Sequence, residues 1–193
     1  MIGLSRARGV SWLAIQTKNA RGEAAFASTR AAVIDRAGAR ALERVLRLRS
    51  LAGLSVMAAH PVFLGAPLPG EEPISWRRAQ ATGEQEPADS ALAEGRLNPA
   101  IELVRRRELQ VLGDLALLDV DAVLLTHAGF PGPSFDVSGD ARLMVEALEG
   151  RTMANWPAVV LAEHDGRVLR GAAWAAWTRW RAELLRDFLR DAR

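Results

Sequence analysis

The chain has 193 residues, of which 49% are hydrophobic and 25% charged, and it contains no cysteine. Such a composition is typical of a globular protein long enough to bury a core, and it excludes disulfides, thiol catalysis and cysteine-ligated metal sites. The formal net charge is only +2, so the pI of about 10.2 reflects how few groups titrate at alkaline pH in a chain with no tyrosine and a single lysine, Lys18.

The first half of the chain predicts a two-stranded hairpin, a long helix and a third strand. Residues 10–17 (VSWLAIQT) predict a strand, and 23–28 (EAAFAS) its hairpin partner. A long helix is expected from Ser28 or Thr29 to about residue 50, because apolar positions recur on one face among arginines. Gly53 ends it, and 54–60 (LSVMAAH) reads as a buried strand.

The second half predicts three more helices, a strand and a hairpin. In chain order these are a helix from Pro99 to about Leu118, a strand over 121–127 (DAVLLTH), a helix capped by Ser138 that runs to about Leu148, a hairpin around Asp165 and Gly166 within 157–174, and a final helix from about Ala172 to Asp191.

This order of elements predicts one α/β domain over residues 1–193. We expect a mixed or mostly parallel sheet of about five or six strands with helices packed against it. One irregular excursion, rich in proline, glycine and acidic residues, covers about 61–97. Trp76 lies in its middle, and part of this loop is therefore expected to dock.

Histidines close three apolar runs, at His60, His127 and His164. If the strands are parallel neighbours, His60 and His127 lie together at the carboxyl edge of the sheet, where α/β proteins usually build sites. A small hydrolase or metal-dependent enzyme could then use these two imidazoles with Asp136 as the carboxylate partner. The three histidines are also weak metal-ligand candidates, but their spacing matches no metal-site pattern, and no metal or other cofactor is predicted.

The terminal helix carries tryptophans at three-residue spacing, Trp174, Trp177 and Trp180, followed by Arg181. This surface is broader than docking on a sheet requires, and Trp and Arg are enriched in interface hot spots. The nucleophile-elbow, phosphate-loop and HExxH patterns are absent from the sequence. The preferred interpretation is therefore a non-catalytic interaction or assembly subunit. It would bind a protein partner, or a second copy of itself, through this helix and the long loop with Trp76.

Charge is distributed unevenly, with ten basic and three acidic side chains in the first 50 residues. If the two Arg-rich helices are adjacent, they form a surface that could follow nucleic-acid phosphates, which makes nucleic-acid binding a second alternative. Its candidate residues are Arg40, Arg44, Arg47, Arg105 and Arg106. No apolar stretch is long enough to span a bilayer, and absence of cysteine favours the cytoplasm.

Overall fold

The computed structural model describes residues 11–19, 21–34, 38–65, 97–130, 136–161, 163–164, 167–168 and 171–193. These residues divide into two compact units. The first comprises those within Met1–Pro73 and Arg106–Ala128, and the second those within Ile74–Arg105 and Gly129–Arg193. A single domain over 1–193 stays a prediction.

A parallel three-stranded sheet forms the centre of the first unit. Its strands are β1 (Trp12–Gln16), β2 (Ser55–Pro61) and β3 (Ala122–Thr126), in the spatial order β1-β2-β3. All three coincide with predicted strands, and the α/β class with a parallel sheet is confirmed.

The predicted number of five or six strands is wrong for the described residues. Besides the three-stranded sheet, these residues contain a separate two-stranded antiparallel hairpin, formed by β4 (Glu163–His164) and β5 (Arg167–Val168). Residues 23–28 form no strand, since Ala24 makes only isolated bridges to Lys18 and Val33. The apolar run before the hairpin begins as a short helix rather than a strand.

The helices are named in chain order. They are α1 (Ala41–Ala52), preceded by a 3₁₀ turn at Gly38–Arg40, then α2 (Glu102–Ala116), α3 (Gly139–Glu149), the short α4 (Ala158–Leu161) and α5 (Ala172–Asp191). The α1 helix begins later than predicted because the backbone around residues 32–34 bonds to Ala24 instead of continuing a helix. None of the helices within the described residues is long and apolar enough to cross a membrane.

The core of the first unit lies on one face of the sheet. Val56 and Ala58 of β2 are buried there, and they cluster with Val111 and Leu115 of α2. Residues three or four positions apart share a helix face, so Glu108 falls on the same stripe of α2 as these two apolar side chains. His60 likewise follows Val56 and Ala58 on the buried face of β2. At the carboxyl end of β2, the core of the first unit therefore contains two polar residues, His60 of the strand and Glu108 of α2.

The second unit packs α3, α4 and α5 around large aromatic side chains. Ser138 caps α3, as predicted, by accepting a hydrogen bond from the Ala141 amide, and Gly150 ends the helix in the left-handed conformation with φ 65°. The buried apolar cluster of the second unit includes Val137, Val145, Trp177 and Trp180.

Candidate functional site

The carboxyl ends of the three parallel strands bring polar residues to one edge of the sheet. Thr17 and Lys18 directly follow β1, His60 lies near the end of β2, and His127 directly follows β3. The Thr17 amide donates to Ala59 O at 3.0 Å, and the Val62 amide donates to Thr126 O at 2.8 Å. The strand pairing thus continues into the loops, and both histidines lie at the edge to which the sequence assigned them.

His60 is completely buried and is held by its neighbours. Its Nδ1 atom lies 2.7 Å from Thr17 Oγ1, and its Nε2 atom lies 3.6 Å from Glu108 Oε2, beyond hydrogen-bond distance. Burial lowers the pKa of His60 below its usual value of 6.5, and the nearby Glu108 carboxylate opposes this only in part. The ring is therefore neutral at neutral pH. Nδ1 can accept a hydrogen bond from the Thr17 hydroxyl when the ring carries its one proton on Nε2.

A buried ion pair lies next to this histidine. Lys18 Nζ donates to both Glu108 oxygens, at 3.1 and 2.9 Å, and to Leu64 O at 2.6 Å. The two side chains are only 1% and 2% exposed. An ammonium ion has three protons to donate, and these three acceptors match that number.

The pKa shifts of the pair show why both charges are tolerated in the core. Burial lowers the pKa of Lys18, while the charge of Glu108 acts in the opposite direction. Burial alone would raise the pKa of Glu108, but His60 and Lys18 together outweigh that effect and lower it. The carboxylate thus stays ionised at neutral pH, next to the cation that compensates it.

Sequence reasoning missed Lys18 and Glu108, although both left a signal. Lys18 is the single lysine among 25 basic residues, and it directly follows a predicted strand. Glu108 interrupts an apolar helical repeat, three residues before Val111 and seven before Leu115. Its neighbours in the chain are arginines, with which a glutamate on a solvated helix face would pair. In the structure its carboxylate instead faces the core and binds Lys18.

His127 differs from His60 in being exposed to solvent. Its Nδ1 atom lies 3.3 Å from the hydroxyl of the adjacent Thr126. Its backbone is left-handed, with φ 56°, and Phe63 in the loop after β2 has φ 55°. Positive φ is uncommon for residues other than glycine and persists where surrounding structure enforces it, often at functional sites. Two such residues therefore follow neighbouring strands at the same edge.

The loops after β1 and β2 touch through their glycines. Gly22 has φ 78°, and a Cβ atom at this position would overlap the backbone of Gly65. Asn19 shapes the first loop by accepting hydrogen bonds from the Arg21 and Glu23 amides. The two loops are consequently packed backbone against backbone.

Asp136 is bound within the second unit. Its buried carboxylate accepts hydrogen bonds from Asn98 Nδ2 at 2.7 Å, the Ser138 amide at 2.9 Å and the Ser138 hydroxyl at 2.7 Å. These contacts fix the start of α3. The structure thus gives Asp136 an anchoring role in its own unit, and its proposed partnership with His60 and His127 stays a prediction.

The tryptophans of α5 form core rather than a free surface. Trp177 is fully buried and donates from Nε1 to Asp136 O at 2.7 Å, and Trp180 is only 5% exposed. Trp174 packs on Trp177, with ring centroids 5.3 Å apart. The Arg181 guanidinium lies 4.5 Å from the Phe130 ring centre and 4.4 Å from that of Trp177. Trp177 and Trp180 are therefore covered by their own unit, and Trp174 is half-buried against the same core.

The remaining proposed interaction residues are Arg181, on α5, and Trp76, in the long loop. Burial lowers the pKa of Arg181 to about 10, opposed by the charge of Asp136, as expected for a guanidinium enclosed by aromatic rings. Trp76, the other proposed interaction residue, lies outside the described residues, as does most of the 61–97 excursion.

The arginines proposed for nucleic-acid binding have mixed environments. Arg105 donates to Pro99 O at 2.6 Å and Ala100 O at 2.8 Å, so its guanidinium serves its own backbone. The exposed candidates are Arg40, Arg44, Arg47 and Arg106. Nucleic-acid binding stays an untested prediction.

Metal ligation finds no geometric support in the part of the chain that the structure describes. No three His, Asp or Glu residues there are grouped so that they could hold a metal ion. The side chain of His164 lies outside the described residues.

A separate cleft of about 480 Å³ lies in the first unit, beside the end of α2 that leads into β3. Ser28 Oγ donates to Asp114 Oδ2 there at 2.7 Å. None of the residues that line this cleft belongs to the carboxyl edge, so the two are separate features of the first unit.

Comparisons with known proteins give a fold but no family. No protein-family model matches the sequence, and no curated protein matches it. Among solved structures, the glycoside hydrolase domain of PgaB (BpsB) from Bordetella bronchiseptica matches 99% of this chain with a TM-score of 0.70 and 21% identity. Alpha-L-fucosidase isoenzyme 2 from Paenibacillus thiaminolyticus matches 99% with a TM-score of 0.64 and 16% identity. A hypothetical protein from Ruminiclostridium thermocellum matches 100% with a TM-score of 0.58 and 10% identity.

This chain covers only part of each structure that it matches. This chain spans 53% of the PgaB chain, 26% of the fucosidase chain and 82% of the Ruminiclostridium chain. At these identities the similarity shows the fold alone, an α/β fold like that of glycoside hydrolase domains. The preferred interpretation as a non-catalytic assembly subunit is contradicted, since the chain matches a glycoside hydrolase domain and an alpha-L-fucosidase over nearly its whole length.

Proposed function

We propose that this protein is a hydrolase acting on glycosidic bonds, with its active site at the carboxyl edge of β1, β2 and β3. The observation that carries the proposal is the TM-score of 0.70 with the PgaB glycoside hydrolase domain over 99% of the chain. The carboxyl edge supports the location, because ligands of parallel α/β sheets bind outside the carboxyl ends of the strands.

His127 is the side chain proposed to meet the substrate. It is exposed, it directly follows β3, and its left-handed backbone is held in a strained region. Histidine is the residue most often used for proton transfer in enzymes, and a group at this edge could donate a proton to a leaving alkoxide. Most glycoside hydrolases use a pair of carboxyl groups for this chemistry, so a direct role for His127 is a departure that an assay can test.

The buried residues beneath the edge have a different role in this proposal. His60 and Glu108 are enclosed, and Glu108 is ionised and bound by Lys18. A carboxylate held in this way is a poor proton donor. We assign these residues to shaping the edge, and the substrate contact to His127.

Hydrolysis of para-nitrophenyl glycosides tests the proposed function. The panel should cover several sugars in both anomeric forms and include the α-L-fucoside. His127→Asn is the variant of choice, because asparagine tolerates the left-handed conformation and carries no imidazole. Because para-nitrophenolate leaves without being protonated, wild type and variant are compared on alkyl glycosides of the sugar that is hydrolysed. There we expect kcat to fall by about 10²–10⁴-fold, the usual contribution of a general acid or base.

Arg30→Met serves as the matched control, since Arg30 is exposed in the same unit. Failure of the wild-type protein to hydrolyse any glycoside would overturn the proposal. Hydrolysis that survives His127→Asn unchanged would keep the reaction but remove His127 from it.

A further inference from the structure

We propose that Lys18 is a positioning residue, which holds the loop after β2 in the geometry that His127 requires. The loop in question is Val62–Gly65. The catalytic consequence rests on the proposed function, whereas the structural part can be measured without any substrate.

The contacts form one continuous path from α2 to His127. Lys18 Nζ bonds to the Glu108 carboxylate on α2 and to Leu64 O in the loop, at 2.6 Å. Two residues earlier in the same loop, the Val62 amide donates to Thr126 O at 2.8 Å. Thr126 immediately precedes His127. The path alternates these hydrogen bonds with short stretches of backbone, Val62–Leu64 and Thr126–His127, all within the first unit.

Burial makes this path specific to lysine. Lys18 and Glu108 are nearly inaccessible to solvent, so water cannot replace the ammonium as the donor to Leu64 O. The three acceptors around Nζ suit a compact ammonium rather than the planar fork of arginine. All 24 other cationic side chains of this chain are arginine, and the single lysine occupies the position where three acceptors converge.

Backbone strain lies in the segments that Lys18 fixes. Phe63 has φ 55° and His127 has φ 56°, one on each side of the Val62–Thr126 hydrogen bond. Such conformations persist only where neighbouring contacts enforce them. The packing of Gly22 against Gly65 provides a second clamp on the same loop. The loop is therefore held at Val62, Leu64 and Gly65.

The test must separate positioning from simple stability. Lys18→Met removes the donor to Leu64 and leaves the Glu108 carboxylate buried without its cation. The double variant Lys18→Met with Glu108→Leu replaces the pair by apolar side chains, which is often neutral or stabilising for a buried ion pair. Folding is thus expected to recover in the double variant, but the donor to Leu64 is still missing.

Three measurements are made on wild type, both variants and the Arg30→Met control. These are hydrogen exchange of the Val62 amide, the NMR chemical shifts of the His127 imidazole, and kcat and KM on the alkyl glycoside that the wild type hydrolyses best. We expect faster Val62 exchange and shifted His127 signals in both variants. We expect kcat to fall by about 10²-fold in the double variant although its thermal midpoint recovers, because a displacement of about 1 Å at a reacting group has an effect of that size.

The outcomes are distinguishable. If the double variant recovers Val62 protection, the His127 signals and kcat together with its thermal midpoint, Lys18 has only a structural role and the inference is wrong. If wild type hydrolyses no glycoside, the proposed function fails, but exchange and NMR still decide whether Lys18 positions His127. If Lys18→Met alone does not fold, the double variant decides by the same criteria.

Discussion

Lys18 Nζ lies 2.9 Å from Glu108 Oε2, although 90 positions separate the two residues in the chain. The pair joins the carboxyl end of β1 to the buried face of α2 and has His60 beside it. Charged pairs inside a core cost free energy unless their geometry compensates for lost hydration. Here the contact with Leu64 O adds a third hydrogen bond, and it connects the ion pair to the loop after β2.

A double-mutant cycle on Lys18 and Glu108 should show strong coupling. Lys18→Met alone leaves an unpaired buried carboxylate, and we expect it to lower the free energy of unfolding by about 3–5 kcal/mol. Replacing both residues, with Glu108→Leu, should lower it by less than either single change. Urea denaturation of the four proteins measures this, and strictly additive effects would contradict a direct pair.

Stability should decline as the solution is made more acidic than pH 6.5, the usual pKa of histidine, because burial lowers the pKa of His60 in the folded protein. The unfolded chain then takes up a proton that folded His60 does not, so protons favour unfolding. Glu108, whose folded pKa is also lowered, adds a further loss when the pH falls through the carboxylate range.

Urea denaturation between about pH 8 and pH 5 measures this dependence, a window that spans the ordinary histidine pKa. His60→Gln is the matched variant, since it keeps a polar side chain beside Thr17 but cannot titrate. Its stability should fall less steeply over that window. Equal slopes for the two proteins would show that His60 does not contribute.

Gly22→Ala should be strongly destabilising. The added methyl group would overlap the Gly65 backbone, and φ 78° is strained for alanine. We expect a loss of at least about 1–3 kcal/mol, in the upper range for single substitutions. Gly113→Ala on α2 is the control, since nothing lies within 4 Å of its added Cβ. Helix propensity predicts that the control gains about 0.5–1 kcal/mol, and thermal unfolding distinguishes the two.

Trp177→Ala should destabilise the protein by about 3–5 kcal/mol, the range for removing a large buried aromatic side chain. The change also removes the donor to Asp136 O. Leu189→Ala on the same helix is the comparison. Leu189 is 39% exposed, so its substitution should lower the free energy of unfolding much less. Similar losses for both substitutions would argue that the indole face of α5 is not core.

Local sequence patterns predicted most of the helices and the three parallel strands. Ser138 was identified as a helix cap, and Ala172 and Asp191 as the ends of the last helix, because capping and periodicity depend on neighbouring residues. The length of α1 was overestimated, because pairing of residues 32–34 with Ala24 is a tertiary contact that competes with helix formation.

The pattern of the sequence indicated that His60 and His127 each close an apolar run at the end of a strand, but it left the parallel pairing of the two strands as a condition, which the fold meets. Long-range packing set the environments of the two histidines, since it buries one beside an ion pair and exposes the other. The same packing brings Lys18 to Glu108 and encloses Trp177 and Trp180 in the core of their unit. Strand and helix formation follow from local periodicity, whereas burial and ion pairing depend on which distant segments pack together.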